Sequence, residues 1–172
     1  MSARGGEAGA ATGGLIARER LADAADAWHR TGRRIVFTNG CFDLLHPGHL
    51  AILDASASEG DVLLVAINDD ASVTRLKGPG RPIYPAAERA ELLLALRWVD
   101  AVTVFAEDTP RETIEIVRPH VLVKGSEYGA GAIVGEDSVI AGGGRVVRFQ
   151  MKPGYSTSTI VSKMKERGPS AK

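Results

Sequence analysis

Two histidines, His46 and His49, stand three positions apart in the segment TNGCFDLLHPGH, next to Pro47 and Gly48. If this segment opens a helix, the spacing places both imidazole rings on the same side of the first turn. The unpaired backbone N–H groups at a helix start, together with the positive end of the helix dipole, attract phosphate. Two imidazoles directed at a bound phosphate can stabilise the negative charge that its oxygens gain during reaction. The segment therefore predicts a site for phosphate chemistry.

The surrounding pattern predicts where this segment lies in the fold. A β-branched apolar run at 35–38 leads into it, and apolar residues at helical spacing follow it as far as Gly60. The next run, Asp61–Ile67, is continuously apolar after its first residue, as in strands that are buried on both faces of a parallel sheet. Strand, helix and parallel strand form a right-handed crossover, and ligands bind at the carboxyl edge of such sheets. The histidines are therefore predicted at that edge.

The whole pattern predicts an α/β fold: a Rossmann-like, doubly wound, mainly parallel five-stranded sheet with helices on both faces. Besides the elements above, strands are predicted at 99–105, 121–123 and 145–149, and helices at 15–30, at 85–96, from 109 onward and at 156–165. The long polar connection 68–85 is interpreted as a binding loop or lid, and 125–135 as a glycine-rich loop.

Composition limits the classes of function. The chain has 172 residues and a formal net charge of +0, which gives no basis for a broad electrostatic contact with nucleic acid or membrane lipid. Its only cysteine, Cys41, fits a reducing compartment, and no apolar run approaches the ~20 residues of a membrane span. We expect a cytoplasmic protein with a disordered head at 1–14, one domain at 15–167 and a flexible tail at 168–172.

The segment TNGCFDLLHPGH resembles the signature of the cytidylyltransferase-like nucleotidyltransferases, H-x-G-H after the first strand. The later strings VAINDDASVTRLKG, EDTP, LVKGSEY and GYSTSTIV are similar to those of the adenylyltransferase domain of bacterial ADP-heptose synthesis, in the same order. This resemblance implies transfer of AMP from ATP to the sugar phosphate D-glycero-β-D-manno-heptose 1-phosphate, with release of pyrophosphate. Mg²⁺ is expected to neutralise the leaving pyrophosphate. The resemblance also implies a homo-oligomer and, because a fused sugar-kinase domain is not found here, a separate upstream kinase.

The resemblance also implies roles for individual residues. The catalytic residues are expected to be His46, His49 and Lys77. The expected nucleotide-binding residues are Thr38, Asn39, Gly40, Cys41, Phe42, Gly48, Arg89, Lys124, Gly125, Tyr155, Ser156, Thr157 and Ser158. The expected sugar-phosphate-binding residues are Asp43, Asp70, Arg75 and Glu127, and no protein metal ligands are expected.

Several of these residues have structural alternatives. Cys41 and the two histidines could supply three zinc ligands, although the glycines and the helix start favour phosphate. Asp43 could tie down its turn by accepting hydrogen bonds from backbone amides. Arg89 could be a surface ion-pair partner of Glu88 or Asp100.

Two departures from the family pattern affect the expected substrate. Glu127 stands where the sugar-phosphate branch has an aspartate, and Met151 stands where the cytidylyl branch has an arginine. The aspartate-to-glutamate change makes a direct transfer of that residue's role uncertain, and the missing arginine weakens an assignment of CTP as the substrate. The alternatives are a CTP-dependent enzyme acting on glycerol phosphate or another polyol phosphate, and a nucleotide-binding module without catalysis. A Rossmann dehydrogenase is disfavoured because no G-x-G-x-x-G follows the first strand.

Overall fold

The computed structural model describes residues 13–126, 132–150, 154–155 and 157–166. Within them, six strands form one sheet in which neighbouring strands run parallel, in the order β1-β4-β3-β2-β5-β6. The strands are β1 (Gly14–Ile16), β2 (Ile35–Gly40), β3 (Val62–Asn68), β4 (Ala101–Phe105), β5 (Val121–Gly125) and β6 (Arg145–Phe149).

The helices connect these strands and cover both faces of the sheet. They are α1 (Leu21–Arg30), α2 (Pro47–Ala57), α3 (Asp70–Lys77), α4 (Ala86–Leu94), α5 (Arg111–Val117), α6 (Glu136–Ala141) and α7 (Thr157–Glu166), with a short 3₁₀ turn at Arg18–Arg20. Helices α1, α5 and α6 contribute to one apolar core, and α2 and α4 contribute to the other. Among the described residues, no helix combines the length and the apolar character needed to cross a membrane.

The two cores explain the continuous apolar runs in the sequence. Ile35 and Phe37 of β2 face the core under α1 and α5, whereas Val36 between them faces the core under α2. Strand β3 is buried along its whole length. Burial on both faces removes the alternation of apolar and polar residues that a half-exposed strand shows. The predicted parallel α/β architecture is confirmed, with six strands where five were expected.

The additional strand lies where a helix was predicted. Residues 14–16 pair with 101–103 of β4, and the Gly14 N–H donates to the Asp100 C=O over 2.8 Å. The predicted helix 15–30 therefore begins only at Leu21, and the last residue of the predicted disordered head already belongs to the sheet. The edge of β4 offers unpaired backbone N–H and C=O groups, and residues 14–16 bond to them. This long-range pairing overrides the local helical pattern.

Two helices of the structure were not predicted from the sequence. Helix α3 lies inside the predicted loop 68–85, and its start is capped by Asp69, whose Oδ1 accepts from the Ser72 N–H over 2.7 Å. Aspartate is a preferred N-cap residue because its side chain accepts from a backbone N–H of the first turn, so this helix start was readable from the sequence. Helix α6 follows the glycine-rich segment and packs Val139 into the core.

The order of the strands determines where a ligand can bind. Strand β2 is central: the chain leaves it for β3 and β4 on one side and later returns to its other side with β5 and β6. A crevice forms at the carboxyl ends where such a sheet changes direction, here between β2 and β5. The histidine segment follows β2 directly and therefore borders this crevice.

Candidate active site at the carboxyl edge of the sheet

His46 forms the start of helix α2. Its side chain caps the helix, since Nδ1 accepts a hydrogen bond from the His49 N–H over 3.3 Å, and Pro47 is the first helical residue. This bond requires an unprotonated Nδ1, so a neutral His46 carries its proton on Nε2. The His46 and His49 rings are stacked, with centroids 3.7 Å apart and planes inclined by 17°. The sequence prediction that both rings share one side of the first turn agrees with this geometry.

The turn before the helix has an unusual backbone. Phe42 has a φ of +47°, in the left-handed region that non-glycine residues rarely occupy. Its ring lies 4.9 Å from the His49 ring, and a Cβ atom at Gly40 would be 3.3 Å from that same phenyl ring. Gly40 therefore leaves room for Phe42 to support His49. Backbone strain of this kind persists only where surrounding contacts hold it, and it is common at functional sites.

Both imidazoles are neutral at pH 7. Burial and, to a lesser extent, the adjacent His46 lower the pKa of His49 to about 3. Burial also lowers the pKa of His46, which is 6% exposed. Desolvation penalises the charged form of a histidine, so the folded protein keeps these rings uncharged. They can act on phosphate oxygens as neutral hydrogen-bond donors.

We expect the free energy of unfolding to fall as pH drops below 6.5. The pKa values of His46, His49 and His120 are lowered in the folded protein, so the unfolded chain, with histidine pKa values near 6.5, binds more protons. Each such proton contributes a slope of up to about 1.4 kcal/mol per pH unit. Urea unfolding at pH 7.5, 6.5 and 5.5 measures this slope, and a His120→Gln variant should show a shallower one. Stability that is constant from pH 7.5 to 5.5 would contradict the prediction.

The start of α7 lies against the start of α2. A Cβ atom at Gly48 would be 3.1 Å from His46 ring atoms and 3.4 Å from the Cβ of Tyr155. The Thr157 hydroxyl donates to the Leu44 C=O over 3.4 Å. The starts of α2 and α7 are therefore adjacent at this edge. Gly48 lies at the contact between them, where a side chain would crowd His46 and Tyr155. Ser156 lies outside the described residues, and Ser158 is placed only as part of the α7 backbone.

A cleft of about 330 Å³ opens beside the turn 41–46 between β2 and α2, which we call the histidine turn. The strand ends contribute Asn39, Gly40, Cys41, Asn68, Phe105 and Lys124. Helix α3 contributes Leu76 and Lys77, and two connecting segments, 108–110 and 132–134, complete the wall. The Lys124 ammonium donates to the Asn39 C=O over 3.0 Å, so it spans the gap between β5 and β2. The cleft thus combines two lysines with amide and apolar groups.

Asp43 connects the histidine turn to the loop between α3 and α4. Its side chain is 1% exposed and forms an ion pair with Arg81. Its Oδ1 also accepts from the backbone N–H groups of Ile83, over 2.6 Å, and Tyr84, over 3.1 Å. The alternative that Asp43 ties down the backbone agrees with these contacts, although the amides belong to a distant loop and not to its own turn. Its expected role in binding the sugar phosphate stays a prediction.

Arg89 is a buried cross-link beneath the site. It is 1% exposed and donates to the C=O groups of Cys41, over 2.7 Å, and Tyr84, over 2.9 Å. Its third contact is Asp70 Oδ1 at 2.7 Å, and Asp70 also accepts from the Ala86 N–H over 2.8 Å. The alternative of a surface ion pair with Glu88 or Asp100 is wrong, because the guanidinium points inward to the turn. Its contacts are with backbone and carboxylate, so it positions the segment that carries the histidines.

The remaining predicted residues are spread around the cleft. Arg75 donates to Asp108 Oδ1 and to the Ala106 C=O, each over 2.8 Å, so it holds the connection between β4 and α5. Thr38 is buried inside β2, and Gly125 ends β5. Glu127 lies outside the described residues.

Cys41 lines the cleft as a thiol. Burial raises its pKa, although the charges of Lys77, Arg89 and Arg81 oppose this effect. Its Sγ lies 3.8 Å from Asn68 Oδ1, a weak hydrogen bond. Across the described ranges, no three histidine, cysteine, aspartate or glutamate side chains are grouped to hold a metal ion. The zinc alternative therefore finds no support in the geometry.

Sequence reasoning missed three features of the site. Asn68 ends a buried strand, and a polar residue at that position was a usable signal for a ligand-facing side chain. Arg81 gave no such signal, and the segment 108–110, although it belongs to the string EDTP, was not assigned to the site. Arg81 belongs to the site because it forms an ion pair with Asp43, which is 38 positions away, and only the packed fold brings the two together.

This fold, with two helix starts meeting at the carboxyl edge, defines an α/β protein of the nucleotide-binding Rossmann-like class. The chain belongs to the cytidylyltransferase-like family, whose profile matches residues 37–163. Its relatives include the bifunctional protein HldE of Gluconobacter oxydans, 50% identical over 89% of this chain and 32% of that protein. The HldE protein of Alkalilimnicola ehrlichii is 53% identical over 88% of this chain and 32% of its own length. The chain thus spans about one third of the length of these relatives.

Two solved structures are similar to this chain. The lipopolysaccharide core biosynthesis protein of Thermoplasma volcanium matches with a TM-score of 0.60 and 27% identity, over 70% of this chain and 99% of that one. The pantoate-beta-alanine ligase of Francisella tularensis, complexed with beta-gamma ATP and beta-alanine, matches with a TM-score of 0.56. Its 14% identity, over 87% of this chain and 72% of that one, supports a common fold alone.

Proposed function

We propose that this protein transfers AMP from ATP to D-glycero-β-D-manno-heptose 1-phosphate, forming ADP-heptose and pyrophosphate. The family membership and the HldE relatives support a nucleotidyltransferase of this kind. The observation that carries the proposal is the contact between the starts of α2 and α7, with two neutral imidazoles at one of them. Adjacent helix starts concentrate backbone N–H groups and positive dipole ends, which suits a triphosphate.

The reaction requires little covalent participation by the protein. The sugar phosphate is already ionised at neutral pH, so its oxygen can attack the α-phosphorus of ATP in line without a general base. The bond from the α-phosphorus to the bridging oxygen breaks, and pyrophosphate leaves. Catalysis then rests on positioning and on stabilising charge in the transition state. His46 and His49 would donate hydrogen bonds to the α-phosphate and bridging oxygens.

The cleft beside the histidines would hold the charged acceptor. Lys77 and Lys124 line it, and their ammonium groups suit a phosphate. Lys77 is the last residue of α3 and precedes Gly78, which caps the helix. Its side chain can therefore stay in contact with the phosphate as the reaction proceeds from ground state to transition state. We propose Lys77 as the mobile cation of the reaction.

Mg²⁺ would enter with ATP as part of the substrate. The described side chains offer no cluster of three potential ligands, whereas triphosphate oxygens bind Mg²⁺ well. The ion would supply neutralisation of the leaving pyrophosphate. The sugar 1-phosphate must come from a sugar kinase, on this polypeptide or another. We also propose that the protein works as a homo-oligomer.

An activity screen tests the proposed function. Pyrophosphate release is measured with ATP and with CTP, each combined with heptose 1-phosphate or glycerol 3-phosphate. We expect the highest kcat/KM for ATP with heptose 1-phosphate. A preference for CTP with glycerol phosphate would establish the alternative cytidylyltransferase, and nucleotide binding without turnover of either acceptor would establish a non-catalytic module.

Lys77→Ala should lower kcat/KM by about 10- to 100-fold, because a charged hydrogen bond to phosphate is lost. The residue is exposed at the end of α3, so we expect the melting temperature to stay within about 2 °C of wild type. Steady-state kinetics and thermal unfolding measure the two effects separately. Arg97→Ala, an exposed cation that stacks on Trp98 away from the cleft, is the control. A large fall in melting temperature with little change in kinetics would make Lys77 a structural residue.

A further inference from the structure

Two asparagines at the ends of neighbouring strands line the cleft. Asn39 lies near the end of β2, and Asn68 ends the neighbouring strand β3. Parallel register pairs Asn39 with Ala66 and Gly40 with Ile67, so Asn68 is one step beyond the paired residues. Both asparagines line the cleft, which also contains Lys77 and Lys124.

The Asn39 amide has an unmet hydrogen bond. Its Oδ1 atom is buried and finds no hydrogen-bond partner in the part of the chain that the structure describes. Leaving a buried polar atom without a partner is costly, so such an atom in a cleft indicates a ligand that supplies one. Asn68 is 4% exposed, and its Oδ1 accepts the weak hydrogen bond from the Cys41 thiol.

The two asparagine amides differ in chemistry from the two lysines of the same cleft. Lysine ammonium groups can hold a phosphate, but they only donate hydrogen bonds. A carboxamide both donates and accepts, which matches the hydroxyl groups of a sugar. The apolar wall, including Phe105 and Ile133, can contact the C–H face of a sugar ring. Charge for the phosphate and amides for the hydroxyls thus lie within one cleft.

We propose that Asn39 and Asn68 form hydrogen bonds with the hydroxyl groups of the acceptor sugar. These bonds determine which sugar phosphate the enzyme accepts. This inference rests on the proposed function for the identity of the acceptor. It assigns Asn39 to the sugar, whereas the family resemblance suggested a contact with the nucleotide. A site that is built to pair with a hydroxyl strongly rejects an analogue without it, because the amide is then left unpaired.

The test is a thermodynamic cycle in which the asparagine side chain and the sugar hydroxyl are removed singly and together. Wild type and the Asn39→Ala and Asn68→Ala variants are compared with the sugar 1-phosphate and with its mono-deoxy analogues. We expect each substitution to raise KM for the full sugar by about 10- to 100-fold, with the affinity for ATP changed less than about 3-fold. For the analogue that lacks the paired hydroxyl, wild type and variant should agree within about 3-fold. Thr31→Ala, an alanine substitution of a polar residue at the end of α1, is the control.

The outcomes separate this inference from the proposed function. Calorimetric titration measures sugar phosphate and ATP binding independently of turnover. Loss of ATP affinity with unchanged sugar affinity, or an equal loss for full and deoxy sugars, would overturn the inference while leaving the adenylyltransferase proposal intact. Sugar binding that depends on Asn39 but is never followed by AMP transfer would support the inference and overturn the proposed function. If wild type binds no sugar phosphate at all, the inference fails.

Discussion

His49→Ala is expected to lower kcat by about 100-fold or more while changing KM for ATP by less than about 5-fold. One preorganised donor to a developing oxyanion is worth roughly 3 kcal/mol in the transition state, and less in the ground state. His49 is suited to this role because burial lowers its pKa to about 3, so it meets the phosphate as a neutral donor. Steady-state kinetics of pyrophosphate release gives both constants.

Two further variants identify the origin of the effect. His49→Gln keeps a neutral N–H donor and should recover part of the lost kcat. His29→Ala removes an imidazole that bonds the Val117 C=O over 3.0 Å, away from the cleft, and should leave the kinetics unchanged. A His49→Ala enzyme with wild-type kcat would remove this residue from the chemistry.

His46 needs a different substitution, because it both caps α2 and is proposed to bind phosphate. Asparagine is a good capping residue, so His46→Asn should keep the helix start while losing the Nε2 donor. We expect kcat to fall and the melting temperature to stay near that of wild type. Retention of kcat in His46→Asn, together with its loss in His46→Ala, would show that His46 acts only as a cap.

Arg89→Ala is expected to lower the free energy of unfolding by about 3 kcal/mol. The substitution leaves the Cys41 and Tyr84 carbonyl groups and the Asp70 carboxylate without their donor and opens a cavity at a fully buried position. For a chain of this length, such a loss corresponds to a fall in melting temperature of roughly 6–12 °C. Calorimetry or urea unfolding measures the change.

The matched control is Arg20→Ala. Arg20 also pairs with a carboxylate, that of Asp23, but its side chain is 75% exposed, so its removal should cost less than about 0.5 kcal/mol. Arg89→Lys keeps the charge but cannot form three directed bonds, and it should fall between wild type and alanine. Equal stability of Arg89→Ala and Arg20→Ala would contradict the view of Arg89 as the buried cross-link of the site.

The sequence alone determined the features that depend on local pattern. Continuous apolar runs predicted strands that are buried on both faces, and β2 and β3 are such strands. The spacing of His46 and His49 with Pro47 predicted a helix start, because capping chemistry acts within a few residues of the chain. These local signals also supplied the family motifs, and the family and the α/β architecture were confirmed.

Features that depend on pairing between distant residues become apparent only in the folded chain. Strand β1 exists because β4 offers a free edge, and nothing within residues 14–16 specifies that pairing. Asp43 and Arg81 form their ion pair across 38 positions. Asn39 Oδ1, which has no hydrogen-bond partner among the described residues, becomes buried only once the cleft has closed around it. Propensity and capping act between near neighbours, whereas burial and charge pairing are set by which surfaces come together. The local motifs of the candidate site were therefore readable in the chain, and their supporting contacts were not.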